Sequence, residues 1–381
     1  MLIKVIFWLS SVCLVYPYII YPSLIRLLKF ISPPPVFRVN DDELPPITVI
    51  IYALNNEKTI NQRITNCFSL DYPAQKLEIL VVSDGSTDRT NEIVKSYEGH
   101  GVRLLEIPRP RGRVHAMNEA VRFCATDIIT FTDTKISYRQ DSLRNLLEHM
   151  ADKRIAAIGG NVIHMTGEGH STEELDTFYW RFEADLNETE GARGFLMDLN
   201  IDFFAMKKEL YSRIPYNVLS ESQYLACDLI ARGHLVYFEP KARAVNEVDP
   251  PVEHNFQKKA GLAAGNYQIL AKFLKLLNVL DGGFGTIVFI SHKFLRWMGP
   301  LFLLGLFVSN FLLALEGLIY YRVFLLQSTF YVCAILGLIF RRIGVEVMLL
   351  NICFDFIEIN RSYLSGLFLW LFNTSVRKVH P

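Results

Sequence analysis

ITVIIYALNNEKTI at 47–60, LEILVVSDGS at 77–86 and ATDIITFTDT at 125–134 decide the fold. Each opens on a run of apolar, β-branched residues and closes on turn formers, the mark of a buried strand. VRLLEIP at 102–108 and IAAIGGNVIH at 155–164 repeat the pattern. Helical stretches lie between them: 57–69, then TDRTNEIVKSYE with Ser86 or Thr87 as its cap, then HAMNEAVRFC, then 140–150. Strands alternating with helices predict an α/β domain with a largely parallel sheet. Ligands of such sheets bind outside the carboxyl ends of the strands. Asn55, Asp84 and Asp133 are expected at that edge.

The chain has 381 residues, enough for one sizeable domain with additions. Hydrophobic residues make up 51% and the mean hydropathy is +0.22, high for a wholly soluble protein. Residues from about 45 to 260 are ordinary charged globular sequence, so the apolar excess sits at the two ends. The formal net charge is +0, which gives no bulk electrostatic case for nucleic acid. Cys13, Cys67, Cys124, Cys227, Cys333 and Cys353 are scattered without a CxxC pair. That spread argues against a metal cluster or a disulfide framework and suits a reducing compartment. His164, His170, His234 and His254 form no zinc pattern.

Residues 5–28 are apolar apart from Arg26. About 20 such residues span a bilayer as helix, and no small-residue cleavage site closes the segment. Residues 1–30 are therefore expected to be a transmembrane anchor, and 31–46, with five prolines, a stiff linker. Arg26, Lys29 and Arg38 follow the span, which puts the globular domain of 47–260 in the cytoplasm. Two more spans are predicted at 299–320 and 323–340, within 299–341, joined by a hairpin at Tyr321 and Arg322. Glu316 is the acid inside the first of them. Residues 261–298 mix Lys272, Lys275 and Lys293 with apolar side chains and read as an interfacial amphipathic segment. In 342–381, Glu346, Asp355, Glu358 and Arg361 break an apolar stretch that is either a third span or an interfacial helix. The expectation is a multi-pass cell-membrane protein.

GxGxxG and GxxxxGK[ST] are both missing, so neither a dinucleotide fingerprint nor a Walker-type loop is present. Asp84 in SDGSTD either accepts hydrogen bonds from a base or ribose, or is a turn residue capping the next helix. Asp133 either ligates Mg²⁺ or Mn²⁺ holding a diphosphate, or is a second turn residue. Arg109, Arg111 and Arg113 in PRPRGRVHAMN suit phosphate oxygens, or a solvated basic loop against lipid headgroups. Glu221 opens a helix that Gly233 ends; it is either a general base or an acid favoured by the helix dipole.

Taken in order, these motifs resemble glycosyltransferase family 2, inverting enzymes whose fold is called GT-A. The likeness runs over roughly residues 5–373 and is greatest with members anchored by one N-terminal and several C-terminal spans. ITVIIYALNNEKTI is similar to the family's opening strand and loop, PRPRGRVHAMNEA to its Gly-Lys segment, TFTDTK at 130–135 to its Asp-x-Asp pattern, and FYWRFEADLNETEGARGF at 178–195 to its acceptor-side helix. The resemblance implies a nucleotide-sugar donor, UDP-linked, held by Tyr52, Asn55, Glu57, Asp84, Arg111, Arg113, Asn118, Asp133 and Lys135. It implies Mg²⁺ or Mn²⁺ at Asp133, and a saccharide or lipid-linked acceptor deprotonated from the Glu221–Ser222 position.

The chain departs from the family in five places. Arg113 stands where the lysine is usual, and Lys135 where a second acid or Asn is usual. Lys135 cannot ligate metal while charged, but it can contact phosphate directly. Ser220-Glu221-Ser222 replaces a pair of acids, so the expected base is a serine, with no suitable pKa near neutrality. MDLNIDFFAM at 197–206 lacks the usual Gly-rich turn, and HNFQKKAGLAAGNYQ at 254–268 lacks the Gln-x-x-Arg-Trp of polymer-extruding relatives. Two functions stay open: a single-addition sugar transferase, or a silent relative that binds a nucleotide-sugar or scaffolds other polysaccharide-biosynthesis proteins.

Overall fold

A computed structural model describes residues 1–31, 43–166, 178–248, 256–280, 283–345 and 347–377. Most of the Pro-rich linker, with Arg38, His170, His254 and Glu346, lies outside the described residues. The chain divides into two compact units. One takes residues 1–32, 177–183 and 255–378, the other residues 33–176 and 184–254.

The middle unit is built on an eight-stranded sheet in the order β3-β2-β1-β4-β7-β6-β8-β5. Its strands are β1 (Ile47–Ala53), β2 (Leu77–Asp84), β3 (Val102–Ile107), β4 (Ile128–Asp133), β5 (Ile136–Tyr138), β6 (Ile155–Thr166), β7 (Phe204–Lys207) and β8 (Leu235–Val248). β3, β2, β1 and β4 run parallel, as the alternating pattern predicts. β7 is antiparallel to both β4 and β6, and β5 is antiparallel to β8. The expectation of a largely parallel sheet is thus met in one half; the other half is mixed. β5 and β7 are short strands with no alternating run of their own, which is why sequence periodicity does not find them.

Ile47, Val49 and Ile51 of β1 and Ile79 and Val81 of β2 join Ile60, Ile64 and Val94 in one buried cluster. Ile60, Ile64 and Cys67 recur at helical spacing along Ile60–Phe68, so that helix buries one face. Roughly 2 kcal/mol for each buried aliphatic side chain makes this packing the main stabilising term of the unit. The helices that position the site are Arg113–Phe123 and Glu221–Ala231, the second starting at the residue expected.

Among the described residues of the other unit, two helices are long and apolar enough to cross a membrane, Leu2–Leu28 and Leu318–Arg342. A bent pair, Gly283–Trp297 with Gly299–Leu313, makes a third if counted as one span. The hairpin turn falls earlier than the sequence suggests. Tyr321 and Arg322 lie inside the helix Leu318–Arg342, and the break comes at residues 314–317. Glu316 therefore sits in the turn rather than in a span, where Lys4 Nζ pairs with it at 3.1 Å. Met348–Phe372 is one continuous helix, with Asp355 bound to Arg341 at 3.1 Å. Within this unit Glu183 bridges His292 at 2.9 Å and the buried Arg296, whose guanidinium lies 4.9 Å from the Tyr18 ring centre.

Candidate active site

The four parallel strands all deliver their carboxyl ends to one edge, and register decides which side chains meet there. Tyr52 is paired with Asp133 across β1 and β4, and Asp84 with Ile107 across β2 and β3. Asp84 is fully buried. Its Oδ1 accepts the N–H of Arg111 at 2.9 Å and its Oδ2 the N–H of Gly112 at 2.8 Å. The Tyr52 hydroxyl donates to the same Oδ2 at 3.3 Å. Burial first, and then the neighbouring Asp84 charge, pushes the Tyr52 phenol up to about 12. Asp84 thus spends its carboxylate on the arginine loop.

Gly85 makes that approach possible. Its φ is +76°, and a Cβ there would stand 2.5 Å from Pro110 Cδ and 2.6 Å from Pro110 N. Gly112, with φ +90°, then starts the helix Arg113–Phe123. The loops after β1 and β2 are laced together as well. Asn55 has φ +54°, a conformation asparagine tolerates. Its Oδ1 accepts the Thr87 N–H at 2.8 Å, while its own N–H donates to Ser86 Oγ at 3.1 Å. Glu57 accepts the Arg89 N–H at 3.2 Å and donates its own to Asp88 at 3.0 Å.

Arg113 is the point where the two halves of the sheet converge. Its Nη2 binds Asp202 Oδ1 at 2.5 Å, and its guanidinium lies 5.9 Å from the Tyr52 ring centre. Burial opposes its charge, but Asp202 and, more weakly, Asp133 and Glu221 raise its pKa further, so it stays protonated. Its Nε is buried with no hydrogen-bond partner among the described residues. A buried donor left unmade costs about 1–3 kcal/mol.

The remaining expected residues take different positions. Asn118 is buried and faces the loop 211–214: its amide group donates to Ile214 O at 2.8 Å and accepts the Ile214 N–H at 2.9 Å and the Tyr211 hydroxyl at 2.9 Å. Arg111 Nη1 lies 3.3 Å from His115 Nε2. His115 in turn stacks on Tyr216, with ring centres 5.6 Å apart. Asp133 Oδ1 accepts the Lys135 N–H at 3.2 Å, and the Lys135 side chain is exposed. Ser222 Oγ donates to Asp198 Oδ1 at 2.7 Å. Asp198 and Asp202 are the residues the sequence reading missed. Both lie in the stretch MDLNIDFFAM, which drew notice only for its missing glycines; two acids inside an otherwise apolar run were the signal.

Among the described residues, no three His, Cys, Asp or Glu side chains converge as a metal-ligand group. A divalent cation at Asp133 would rely on a donor diphosphate for further ligands, which Mg²⁺ commonly does, and would neutralise the leaving group there.

Residues 48–214 match the profile described as glycosyl transferase family 2. Over this segment the chain is similar to family 2 glycosyltransferases. The chain is also similar to the poly-beta-1,6-N-acetyl-D-glucosamine synthases of Staphylococcus aureus (strain COL) and Staphylococcus epidermidis. The first is 22% identical over 240 residues, covering 61% of this chain and 58% of that protein. The second is 19% identical over 232 residues, covering 59% and 56%. The chain therefore spans less than two thirds of the length of these relatives. A solved structure of the mannosyltransferase PcManGT from Pyrobaculum calidifontis, in complex with GDP-Man and Mn²⁺, superposes with a TM-score of 0.72. It is 18% identical, over 98% of this chain and 99% of that one. The chain thus has the GT-A-like α/β fold, flanked in sequence by apolar helices long enough to span a membrane.

Proposed function

We propose that the chain transfers a sugar, with inversion, from a nucleotide-sugar to a hydroxyl of a saccharide or lipid-linked acceptor at the cytoplasmic face of the cell membrane. The observation that carries this reading is the partly buried, protonated Arg113, which acts on Asp202, Asp133 and Glu221 and whose buried Nε–H has no acceptor among the described residues. In transfer, the acceptor oxygen attacks the sugar C1 while the bond from C1 to the diphosphate oxygen breaks. The nucleoside diphosphate leaves with the electron pair. Arg113 and the ammonium of Lys135 stabilise its charge, and a carboxylate beside the Glu221–Ser222 position takes the acceptor proton. A UDP-sugar is the favoured donor. The staphylococcal relatives are named for N-acetylglucosamine polymers and the archaeal structure holds GDP-Man, so UDP-GlcNAc and GDP-mannose are the first donors to test.

A second reading is a silent nucleotide-sugar binder that scaffolds other polysaccharide-biosynthesis proteins. The neutralisation of Arg113 by Asp202 and the serine at 222 favour it. The test uses the full chain in lipid nanodiscs with each donor, following nucleoside diphosphate release and product mass. Release coupled to a mass gain on an added acceptor supports transfer. Donor binding with neither release nor transfer leaves only the silent reading.

A further inference from the structure

The resemblance to family 2 places the catalytic base at position 222, where this chain has a serine. A serine hydroxyl stays protonated near neutrality and cannot accept the acceptor's proton. The structure, however, brings a carboxylate to that serine from elsewhere in the chain. Asp198 lies in the loop that precedes β7, and its Oδ1 receives the Ser222 hydroxyl at 2.7 Å. The flanking residues hold this loop in place: Met197 and Leu199 are buried on either side of Asp198, which itself stays partly exposed. The loop is tied to β8 as well, because the Leu196 N–H donates to Val236 O at 2.9 Å.

The geometry points to Asp198 as the general base of the proposed transfer, with Ser222 as its positioning residue. The inference rests on the transferase reading above. Its chemistry is complete with the groups already named. The acceptor hydroxyl gives its proton to the Asp198 carboxylate as its oxygen bonds to C1, and the diphosphate departs with the electrons of the broken C1–O bond. A carboxylate offers about four lone-pair sites, and Ser222 occupies one of them in a fixed direction. The hydrogen bond therefore fixes the direction in which the group points. Glu221, the neighbouring acid, has another part. It contributes with Asp133 and Asp202 to holding the charge of the partly buried Arg113. In this chain the acid has moved from the helix start to the facing loop, and the helix start has kept a hydroxyl that grips it.

Four variants test this, all in the full chain in nanodiscs, with UDP-GlcNAc and GDP-mannose as donors and nucleotide release as the rate. Asp198→Asn should lower turnover by about 100-fold or more with donor binding intact, since a positioned base contributes that much. Glu221→Gln should lower it far less. Ser222→Ala should keep measurable turnover but move the acidic limb of the pH–rate profile to higher pH. Removing a donor from a carboxylate raises its pKa, whereas a merely structural serine would leave the limb in place. The double variant D198N/S222D returns the acid to the helix start and should recover turnover over D198N alone. Wild-type turnover in D198N, or a double variant no faster than D198N, overturns the assignment while leaving the transferase reading standing. A wild type that binds donor and never releases nucleotide overturns both.

Discussion

The two halves of the sheet use their acids differently. In the parallel half, Asp84 is fully buried and holds two backbone N–H groups and a tyrosine. In the mixed half, Asp198 and Asp202 each meet a side chain: the hydroxyl of Ser222 and the guanidinium of Arg113. The first kind of contact shapes a loop; the second arranges charge and proton traffic. An acid at a strand end is therefore as easily architectural as catalytic, and only its partners tell which.

The sharpest way to break this contrast is to remove Asp84. Asp84→Ala strands two N–H groups beneath the arginine loop, at about 3 kcal/mol in total. Chemical denaturation of the full chain should show that loss, and nucleotide affinity should fall with it as the loop 109–112 shifts. Asp198→Asn should do the opposite, leaving the unfolding midpoint near wild type. Equal stability losses in the two variants would erase the distinction.

Gly85→Ala probes the same loop from the other side. The added Cβ would meet Pro110 at 2.5 Å, and φ +76° strains any residue with a side chain. A cost of about 1–3 kcal/mol is expected, and weakened donor binding should accompany it in calorimetry. An alanine that binds donor as well as wild type would mean the loop is not part of the donor site.

What the sequence revealed divides along the same line. β1, β2 and β4 were legible because each is a mostly apolar run ending in turn residues, and Asp84 and Asp133 were legible because they close two of those runs. The partners of those acids were not. That Asp84 would bind residues 111 and 112 depends on a close approach over Gly85, which no local pattern encodes. Asn118 looked like a ligand contact because its segment resembles one, yet its hydrogen bonds run to Tyr211 and Ile214, nearly a hundred positions along the chain. Asp202 is invisible for the same reason: its meaning comes from Arg113, across the sheet from it in sequence terms. Periodicity reports which face is buried, and says nothing of which polar groups meet once it is.

Asp202→Asn sharpens the comparison at its centre. It removes the strongest of the acids acting on Arg113 while keeping shape and some hydrogen bonding. The pair is mostly buried, so losing it should cost about 2 kcal/mol of stability. The guanidinium it releases should bind UDP or GDP about threefold more tightly, with a steeper dependence on salt. Weaker nucleotide binding in this variant would show that Asp202 orients Arg113 toward the donor rather than competing with it.

The smallest effect expected lies far from the site, at Glu239 on β8, and asks whether the mixed half also carries a purely structural acid. His149 Nε2 donates to Glu239 Oε2 at 2.5 Å and the Lys241 N–H donates to Oε1 at 2.8 Å. Burial pushes the Glu239 carboxyl up, but the hydrogen bonds from His149 and Lys241 outweigh it and hold the group below its usual range. A depressed folded pKa contributes stability that is fully present above the unfolded value, about 4.3, and is lost as pH falls through the folded one. The wild type should therefore shed about 1 kcal/mol through this group as the solution is acidified below that value. Glu239→Gln cannot titrate, so it should be less stable at neutral pH and lose less on acidification. Parallel acid-unfolding curves for the two proteins would show that this carboxylate contributes nothing, and that acids in the mixed half serve chemistry alone.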